Sequence, residues 1–406
     1  MLTIRPLAAA LNPPAQVAAA MARVAEHLDR RGIAHRFVTG ESDLHDALLI
    51  VTGGSEHLAL AAADRLPGPV FLLAHAELNS LPAALEVLAH LRQRGRPGRI
   101  FLVEDADDRS LPQLARHLET RRRLHSVRLG RIGVPSDWLV ASTPSAELVQ
   151  ATWGPAVVDV PMEEVVAAMR DADAGETRRV RDHATAGAEA VREPSPLDLD
   201  AAARVTVALG AVVRAHRLDA CTVRCFDLVT GAGTTGCLAL SWLQDEGIVA
   251  GCEGDVPAAL TMLWLQLTTG GPGFIANPQE IDPAAGTLWL AHCTIARRLV
   301  SRYTLRSHFE SSLGVGIAGE VPPGPATVAR VGGADLRELF VSDAEILGNG
   351  TSPERCRTQV LLRLAADARE LLERPLGNHH VLAPGRWADE LREYHDLFVA
   401  AGSATR

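Results

Sequence analysis

The 406-residue sequence has few aromatic residues, no excess of positive charge and no long apolar run. Aromatic residues make up 4% of the chain and the net charge is -9, so the stacking surfaces and clustered cations that bind nucleic acid are scarce. No apolar run reaches the roughly 18 residues that span a bilayer. The composition therefore argues against nucleic-acid and membrane partners and favours small-molecule ligands.

Cysteine is also sparse, with six residues and no CxxC pair. The N-terminal residues lack the apolar core and cleavage site of a signal peptide, so we expect a cytoplasmic protein. In that reducing compartment a disulfide framework is not expected, and most cysteines are predicted to be small buried fillers. Hydrophobic residues at 47% and charged residues at 22% are ordinary for a globular protein, and the length suits two or three domains.

The first part of the chain alternates short apolar segments with helical patterns. Residues 46–51 and 99–103 have the composition of buried strands, and residues 16–31 have the periodicity of an amphipathic helix. A second cycle begins near residue 127, with a strand predicted over 138–141. Strands separated by helices predict a doubly wound parallel sheet, here twice in succession.

After residue 306 the pattern changes to short strands divided by Gly and Pro turns. The predicted fold class is therefore α/β, with two Rossmann-like parallel-sheet domains followed by a β-rich domain that is antiparallel or barrel-like. The predicted domains are an N-terminal α/β domain at 1–122, a central α/β domain at 123–305 that carries the site residues, and the β-rich domain at 306–406.

Potential metal ligands occur in separate segments of the second half of the chain: Glu253, Asn277, His292 and the pair His379 and His380. A carboxylate, an amide and imidazoles suit manganese, iron, cobalt or zinc better than magnesium, which prefers oxygen ligands. Adjacent residues of an extended segment face opposite ways, so one histidine of the pair is expected to enter the site. Either can be the ligand, and His380 is favoured.

Each of these residues also has a plain structural interpretation. Glu253 follows a predicted strand, where α/β sheets bind ligands, but a loop carboxylate can simply be solvated. His292 ends an alternating segment and can be a hydrogen-bonded core residue. Asp255 precedes an apolar segment that begins with Val and Pro, so a helix N-cap is its favoured role.

The segment GAGTTG at 231–236 matches the GxGxxG pattern of a dinucleotide site, with Glu253 17 residues after Gly236. This leaves open an NAD-dependent sugar oxidoreductase that uses Gly231, Gly233 and Gly236. The pattern is weak in a chain with 34 glycines. A wide turn is the favoured interpretation, and no nucleotide cofactor is expected.

Taken together, the segments 252–255, 274–278, 290–293 and 377–380 resemble the L-fucose/L-arabinose isomerase superfamily, most closely its shorter fucose-isomerase-like branch. Residues 79–86, 135–139 and 306–311 support the resemblance, which spans most of the chain. It implies three domains and an active site completed between subunits of a homo-oligomer, a trimer or hexamer. It also implies a divalent metal, commonly Mn²⁺, that chelates an open-chain sugar while metal-bound carboxylates move a proton through a cis-enediol.

The resemblance assigns roles residue by residue. Glu253 matches the first carboxylate, one of His379 and His380 matches the C-terminal imidazole ligand, and His292 resembles the additional imidazole of the arabinose branch. The position of the second carboxylate is Asn277, whose amide can ligate a metal but cannot accept a proton near neutral pH.

Without this base, either another group transfers the proton, for which His308 and Asp227 are the candidates, or the reaction itself has changed. The predicted substrate-binding residues are Arg224, Asp227, Asp255, Arg306 and His379. Arg224, Arg306 and Arg357 are candidates to bind a phosphate, sulfonate or carboxylate on the sugar. The sequence thus predicts a metal-dependent aldose-ketose isomerase with Glu253, Asn277 and His308 in the catalytic site. Its metal is expected to be Mn²⁺, with Co²⁺, Fe²⁺ or Zn²⁺ as alternatives. A non-catalytic sugar-binding relative remains the other interpretation.

Overall fold

The computed structural model describes residues 1–40, 43–66, 68–105 and 109–400. The chain divides into two compact units, one formed by residues 1–122 with 392–406 and the other by residues 123–391. Residues 401–406, the last of the predicted β-rich domain, lie outside the described residues. Within the described ranges, no helix combines the length and apolarity that a membrane crossing needs.

The first unit contains a parallel sheet of five strands in the order β2-β1-β3-β4-β5. Its central strands are apolar and fully buried, because helices cover both faces. Its elements are β1 (Leu2–Leu7), α1 (Pro14–Arg30), β2 (His35–Phe37), β3 (Ala47–Ile50), α2 (Glu56–Ala63), β4 (Val70–Ala74), α3 (Ser80–Gln93), β5 (Gly98–Leu102) and α4 (Ser110–Ser126).

The second unit begins with a parallel sheet of four strands in the order β10-β9-β6-β7. A capping box of Ser195 and Asp198 starts its long central helix α8. The elements are β6 (Arg128–Ile132), α5 (Ala146–Trp153), β7 (Ala156–Val160), α6 (Met162–Arg170), α7 (Ala174–Ala186), β8 (Ala190–Val191), α8 (Pro196–Ala215), β9 (Ala220–Val223), α9 (Phe226–Ala232), α10 (Cys237–Asp245), β10 (Val249–Cys252) and α11 (Val256–Thr269).

The rest of this unit is a closed antiparallel barrel of six strands in the order β11-β12-β17-β16-β15-β18, beside a small sheet of β14, β13 and β8. Alternate residues of the barrel strands fill its interior with apolar side chains. The elements are β11 (Phe274–Asp282), β12 (Thr287–His292), β13 (Arg302–Arg306), β14 (Gly316–Glu320), β15 (Gly324–Gly332), β16 (Glu338–Asn349), β17 (Thr358–Leu364), α12 (Glu370–Glu373) and β18 (His380–Pro384). The last helix, α13 (Ala388–Phe398), begins in this unit and continues into the C-terminal residues of the first unit.

The predicted architecture of two parallel sheets followed by an antiparallel barrel is confirmed. The strand predicted over residues 138–141 is wrong, because the chain there forms turns in which Ser136 and Leu139 accept backbone hydrogen bonds. The barrel takes β11 and β12 from residues before 306. The three-domain boundaries stay a prediction.

Candidate metal centre

Three polar side chains from distant segments meet where the second parallel sheet adjoins the barrel. Glu253 follows the end of β10, His292 is the last residue of β12, and His379 immediately precedes β18. All three are buried, and one ligand atom from each lies within 4.8 Å of the other two. The fold therefore gathers one carboxylate and two imidazoles into a single cluster.

The backbone at Glu253 is held in an unusual conformation. Glu253 has φ of 62°, in the left-handed region that non-glycine residues rarely adopt, and Gly254 follows with φ of 77°. A Cβ at position 254 would lie 2.7 Å from the Cα of Pro135, so glycine is required there. The amide of Ser136 donates to the carbonyl of Glu253 at 2.9 Å and fixes the turn. Such conformations are concentrated at functional sites.

The Glu253 carboxylate is held from two sides. The indole Nε1 of Trp138 donates to its Oε2 at 2.6 Å, and its Oε1 lies 3.5 Å from Nε2 of His379. Burial raises the pKa of Glu253, but the hydrogen bond and charge of His379, with the hydrogen bond from Trp138, outweigh burial and leave the pKa below its usual value. The carboxylate is therefore ionised at neutral pH.

The imidazole of His379 is oriented by a second carboxylate. Its Nδ1 lies 3.0 Å from Oδ2 of Asp255, and its Nε2 makes a long contact of 3.5 Å with Oε1 of Glu253. Burial lowers the pKa of His379, but hydrogen bonds with Asp255 and Glu253 outweigh it and raise the pKa to about 9. Carboxylates that accept from one ring nitrogen commonly orient the other toward a metal.

Asp255 is itself part of a fully buried ion pair. Both of its oxygens accept from Nη1 of Arg330, at 3.1 and 2.9 Å, and Nη2 of Arg330 donates to Ser142 at 2.8 Å. Oδ1 of Asp255 also accepts from the amide of Ala258, so the predicted N-cap of α11 is confirmed. Burial raises the pKa of Asp255, but the charge of Arg330 and the contacts of His379 lower it to about 2.

The second imidazole, His292, remains neutral at neutral pH. Its Nδ1 lies 3.0 Å from the hydroxyl of Thr294, and its ring centroid is 5.4 Å from that of His379. Burial and the nearby charge of His379 lower its pKa to about 4. A neutral imidazole is the form that ligates metals.

These residues fit a divalent transition metal. Their 4.8 Å spread is close to twice the roughly 2.1 Å distance of a metal from such ligands. The buried Nε2 of His379 lies within the cluster, 3.5 Å from Oε1 of Glu253, and the nitrogen-rich ligand set suits manganese, iron, cobalt or zinc. The ion must compete with the proton that the raised pKa of His379 retains.

Other predicted site residues lie around the cluster. Asn277 is half-buried in β11 opposite Ala291, the neighbour of His292. The structure brings His379 into the cluster, whereas the ring of His380 packs edge-on against Phe340. Burial and the charge of Arg330 lower the pKa of His380 to about 3.

His308 lies along a row of aromatic contacts that leads to Glu253. The His308 ring is 5.7 Å from Phe226, and Phe226 is 4.9 Å from Trp138, both in edge-on geometry. Trp138 in turn donates to Glu253. His308 therefore belongs to the surroundings of the cluster without joining its three ligand atoms.

Two of the predicted anion-binding arginines, Arg224 and Arg306, are engaged in ion pairs. Nε of Arg224 donates to Asp227 at 2.9 Å, and Asp227 lines a cavity of about 860 Å³ that also includes residues after β6 and β7. Arg306 donates to both oxygens of Glu193, at 2.6 and 2.7 Å, and lines a different cavity. Arg224 and Arg306 therefore belong to separate surfaces.

The GAGTTG segment does not connect a strand directly to a helix. Its first residues complete α9, Gly233 caps that helix with φ of 62°, and α10 begins after Gly236. The hydroxyl of Thr235 accepts a hydrogen bond from the amide of Val315, which connects the turn to the segment that precedes β14. A dinucleotide site requires a strand, a loop and a helix in direct succession, so this segment is a turn between helices.

Two features of the centre were not recognised in the sequence. Arg330 had a signal, since an arginine inside the apolar strand β15 needs a buried partner. The cysteines also cluster here: the sulfurs of Cys225 and Cys252 are 2.8 Å apart, and hydrogen bonds from Cys237 and Cys356 hold the pKa of the Cys293 thiol well below its usual value. All six cysteines are free. Cys252 and Cys293 directly adjoin Glu253 and His292 in the chain.

No protein-family model matches the chain. Among curated proteins, the sulfoquinovose isomerase of Alkalicoccus urumqiensis is 26% identical over 364 residues, which are 83% of this chain and 81% of that protein. The sulfoquinovose isomerase of Clostridium sp. (strain MSTE9) is 26% identical over 342 residues, 79% of this chain and 75% of that protein. The protein of the same name from Priestia megaterium (strain ATCC 12872 / QMB1551) matches over 83 residues at 28% identity. Over most of its length the chain is thus similar to proteins named sulfoquinovose isomerase.

Proposed function

We propose that this chain is a metal-dependent aldose-ketose isomerase that acts on an anionic, open-chain sugar, with sulfoquinovose as the first candidate. The observation that carries the proposal is the buried cluster of Glu253, His292 and His379. The names of the similar proteins supply the reaction and the substrate. Sulfoquinovose is a glucose derivative with a sulfonate on C6, so it has both an aldose end and an anionic end.

Glu253, His292 and His379 would hold the ion, with Asn277 as a further oxygen donor. A bound divalent ion supplies Lewis acidity, which polarises the sugar carbonyl and makes the neighbouring C–H more acidic. The preferred ion is Mn²⁺, with Co²⁺, Fe²⁺ and Zn²⁺ as alternatives. Burial of the ligand atoms keeps competing water away from them.

Glu253 is the proposed base. Its ionised carboxylate accepts the proton from C2 of the aldose, which gives an enediol, and after exchange with solvent delivers a proton to C1 to form the ketose. Trp138 holds one carboxylate oxygen, so the group keeps its orientation while it exchanges the proton. Asn277 cannot accept a proton, and the transfer between the two sugar oxygens is assigned to His308 or Asp227.

The exposed apolar surface beside Glu253 supports a homo-oligomer. Val134, Trp138 and Val140 are large, exposed apolar residues of the segment that covers the centre. A neighbouring subunit would bury them and close the site. The proposed assembly is a trimer or hexamer, and light scattering of the purified protein measures it directly.

The test is turnover of sulfoquinovose by the manganese-loaded protein in D₂O, followed by NMR. We expect a ketose product with solvent deuterium at C1 and loss of the C2 proton signal. Glu253→Gln should abolish both while sugar binding persists, because Gln keeps a ligand oxygen. Full turnover by Glu253→Gln would refute Glu253 as the base.

A non-catalytic sugar-binding protein is the second candidate, and Asn277 favours it. An amide in place of the second carboxylate removes one proton acceptor while leaving a coordinating oxygen. Saturable binding of sulfoquinovose without isomerisation or deuterium exchange, over a range of metals, would support this candidate and contradict the isomerase.

A further inference from the structure

A basic cavity in the second unit is lined in part by residues that adjoin, along the chain, those around the candidate metal centre, and it has no assigned role in the proton transfer. Its volume is about 720 Å³ and four arginines line it: Arg192, Arg302, Arg306 and Arg357. In a chain with a net charge of -9, four guanidinium groups around one cavity are unusual. The two carboxylates of the lining, Glu189 and Glu320, leave an excess of positive charge.

Two of the four arginines are neutralised by neighbouring carboxylates. Arg302 donates to Glu320 at 2.7 Å and lies 3.5 Å from Glu189. Arg306 donates to both oxygens of Glu193. These ion pairs form part of the wall of the cavity, but the carboxylates largely compensate the charges of the two arginines, which therefore attract an anionic ligand only weakly.

Arg357 is different, because its hydrogen-bond acceptors carry no charge. Its Nε donates to the carbonyl of Ser307 at 2.7 Å and its Nη2 to the hydroxyl of Ser307 at 3.3 Å. In the described part of the chain neither Arg357 nor Arg192 has a carboxylate within ion-pair distance. A half-buried guanidinium fixed by neutral acceptors is oriented in advance for bidentate binding of an oxyanion.

The cavity is connected to the candidate metal centre by two short pieces of chain. Ser307, which holds Arg357, directly precedes His308. The amide of Arg357 also contacts the sulfur of Cys293, the residue after His292, and Thr358 pairs with His292 across β17 and β12. The wall of the cavity and the surroundings of the candidate metal centre are therefore joined through Ser307, Cys293 and Thr358.

We infer that this cavity binds the anionic group of the substrate, with Arg357 as the principal contact and Arg192 as the second. The inference rests on the proposed isomerase function, for which it defines the specificity site. The ligand chemistry is a tetrahedral organic oxyanion, a sulfonate in the case of sulfoquinovose. The guanidinium groups bind the sulfonate oxygens and thereby orient the aldehyde end toward Glu253.

The first experiment compares Arg357→Gln with the matched control Arg355→Gln. Arg355 lies in the same loop, pairs with Glu280 at 2.7 Å and does not line the cavity. For sulfoquinovose we expect KM to rise at least about tenfold in Arg357→Gln and to stay within about twofold in Arg355→Gln. With 6-deoxyglucose, which lacks the sulfonate, kinetics should be the same in the parent protein and Arg357→Gln.

The second experiment measures methanesulfonate binding by calorimetry, which requires no turnover. Saturable binding that Arg357→Gln abolishes and Arg355→Gln keeps would support the cavity. If sulfoquinovose is turned over but the two variants have equal KM, the cavity assignment is wrong and the isomerase proposal stands.

If sulfoquinovose is not turned over, the isomerase proposal fails, and methanesulfonate binding alone decides whether the cavity is a site for free oxyanions. Absence of binding would overturn the inference. If Arg357→Gln does not fold, Arg192→Gln takes its place and is judged by the same criteria, because Arg192 is exposed.

Discussion

The buried ion pair of Asp255 and Arg330 provides a sharp test of how the metal centre is supported. Asp255→Asn keeps the size of the side chain and its ability to cap α11, because Asn and Asp are equally good N-caps. It removes the counter-ion of Arg330, which is completely buried. It also replaces the charged acceptor of His379 by a neutral amide.

The expected loss of stability is large for a substitution that changes one atom. Breaking a buried ion pair on one side costs about 3–5 kcal/mol, because the remaining charge stays buried without a partner. At about 2–4 °C per kcal/mol, the melting temperature should fall by roughly 6–20 °C. The affinity for Mn²⁺ should also fall about 10- to 100-fold, the usual effect of losing a residue that orients a metal ligand.

The matched control is Asp173→Asn. Asp173 caps α7 by accepting from the amide of Glu176 at 2.7 Å on the exposed surface, and it has no ion pair in the described structure. Its substitution should change stability by no more than about 0.5 kcal/mol and leave metal affinity unchanged. Calorimetric melting curves and manganese titration measure both quantities.

A double mutant separates the ion pair from the rest of the site. Arg330→Met alone leaves Asp255 buried with less compensation, whereas Asp255→Asn with Arg330→Met removes both charges. We expect the double mutant to be more stable than the sum of the single effects predicts, by at least about 1.5 kcal/mol. Additive effects, or a melting temperature unchanged in Asp255→Asn, would refute the proposed support.

Three further predictions concern the ion and the nucleotide alternative. Chelation should lower the melting temperature, and Mn²⁺ at 100 times its dissociation constant should raise it by about 5–11 °C, since such a ligand contributes about 2.7 kcal/mol. A melting temperature that neither treatment changes would count against the site. Asn277→Asp should tighten manganese binding because it adds a negative charge beside the cluster, and an unchanged affinity would indicate that Asn277 is no ligand. NADH and NADPH at millimolar concentration should give no saturable binding, and a micromolar dissociation constant would restore the oxidoreductase alternative.

Much of the fold follows from patterns that are local in sequence. Apolar segments such as 46–51 and 99–103, separated by helical periodicity, predicted the first parallel sheet, and the second cycle that begins near residue 127 predicted the other. The turn residues after 306 predicted an antiparallel or barrel-like part. The segment 138–141 misled, because its apolar residues lie in turns, where Trp138 and Val140 are exposed and only Leu139 is buried.

The site could be predicted only in part, for a geometric reason. The position of Glu253 after a strand and the presence of histidines in two later segments indicated a metal centre. The choice between His379 and His380 depends on which of the two side chains lies on the face of the chain toward the site. Alternation predicts that they lie on opposite faces, but not which face each takes. Arg330 and Asp255 are 75 residues apart, so their pairing becomes visible only when β15 packs beside α11.

The order of the ligands along the chain has a consequence for biosynthesis. Glu253, His292 and His379 become available one after another, and His379 precedes the last of the six barrel strands. On the ribosome, a nascent chain holds at most two of the three ligands until the parallel sheets and five barrel strands have been made. If the proposed ion needs all three ligands, its binding follows synthesis of nearly all of the barrel and comes too late to guide the earlier steps of folding.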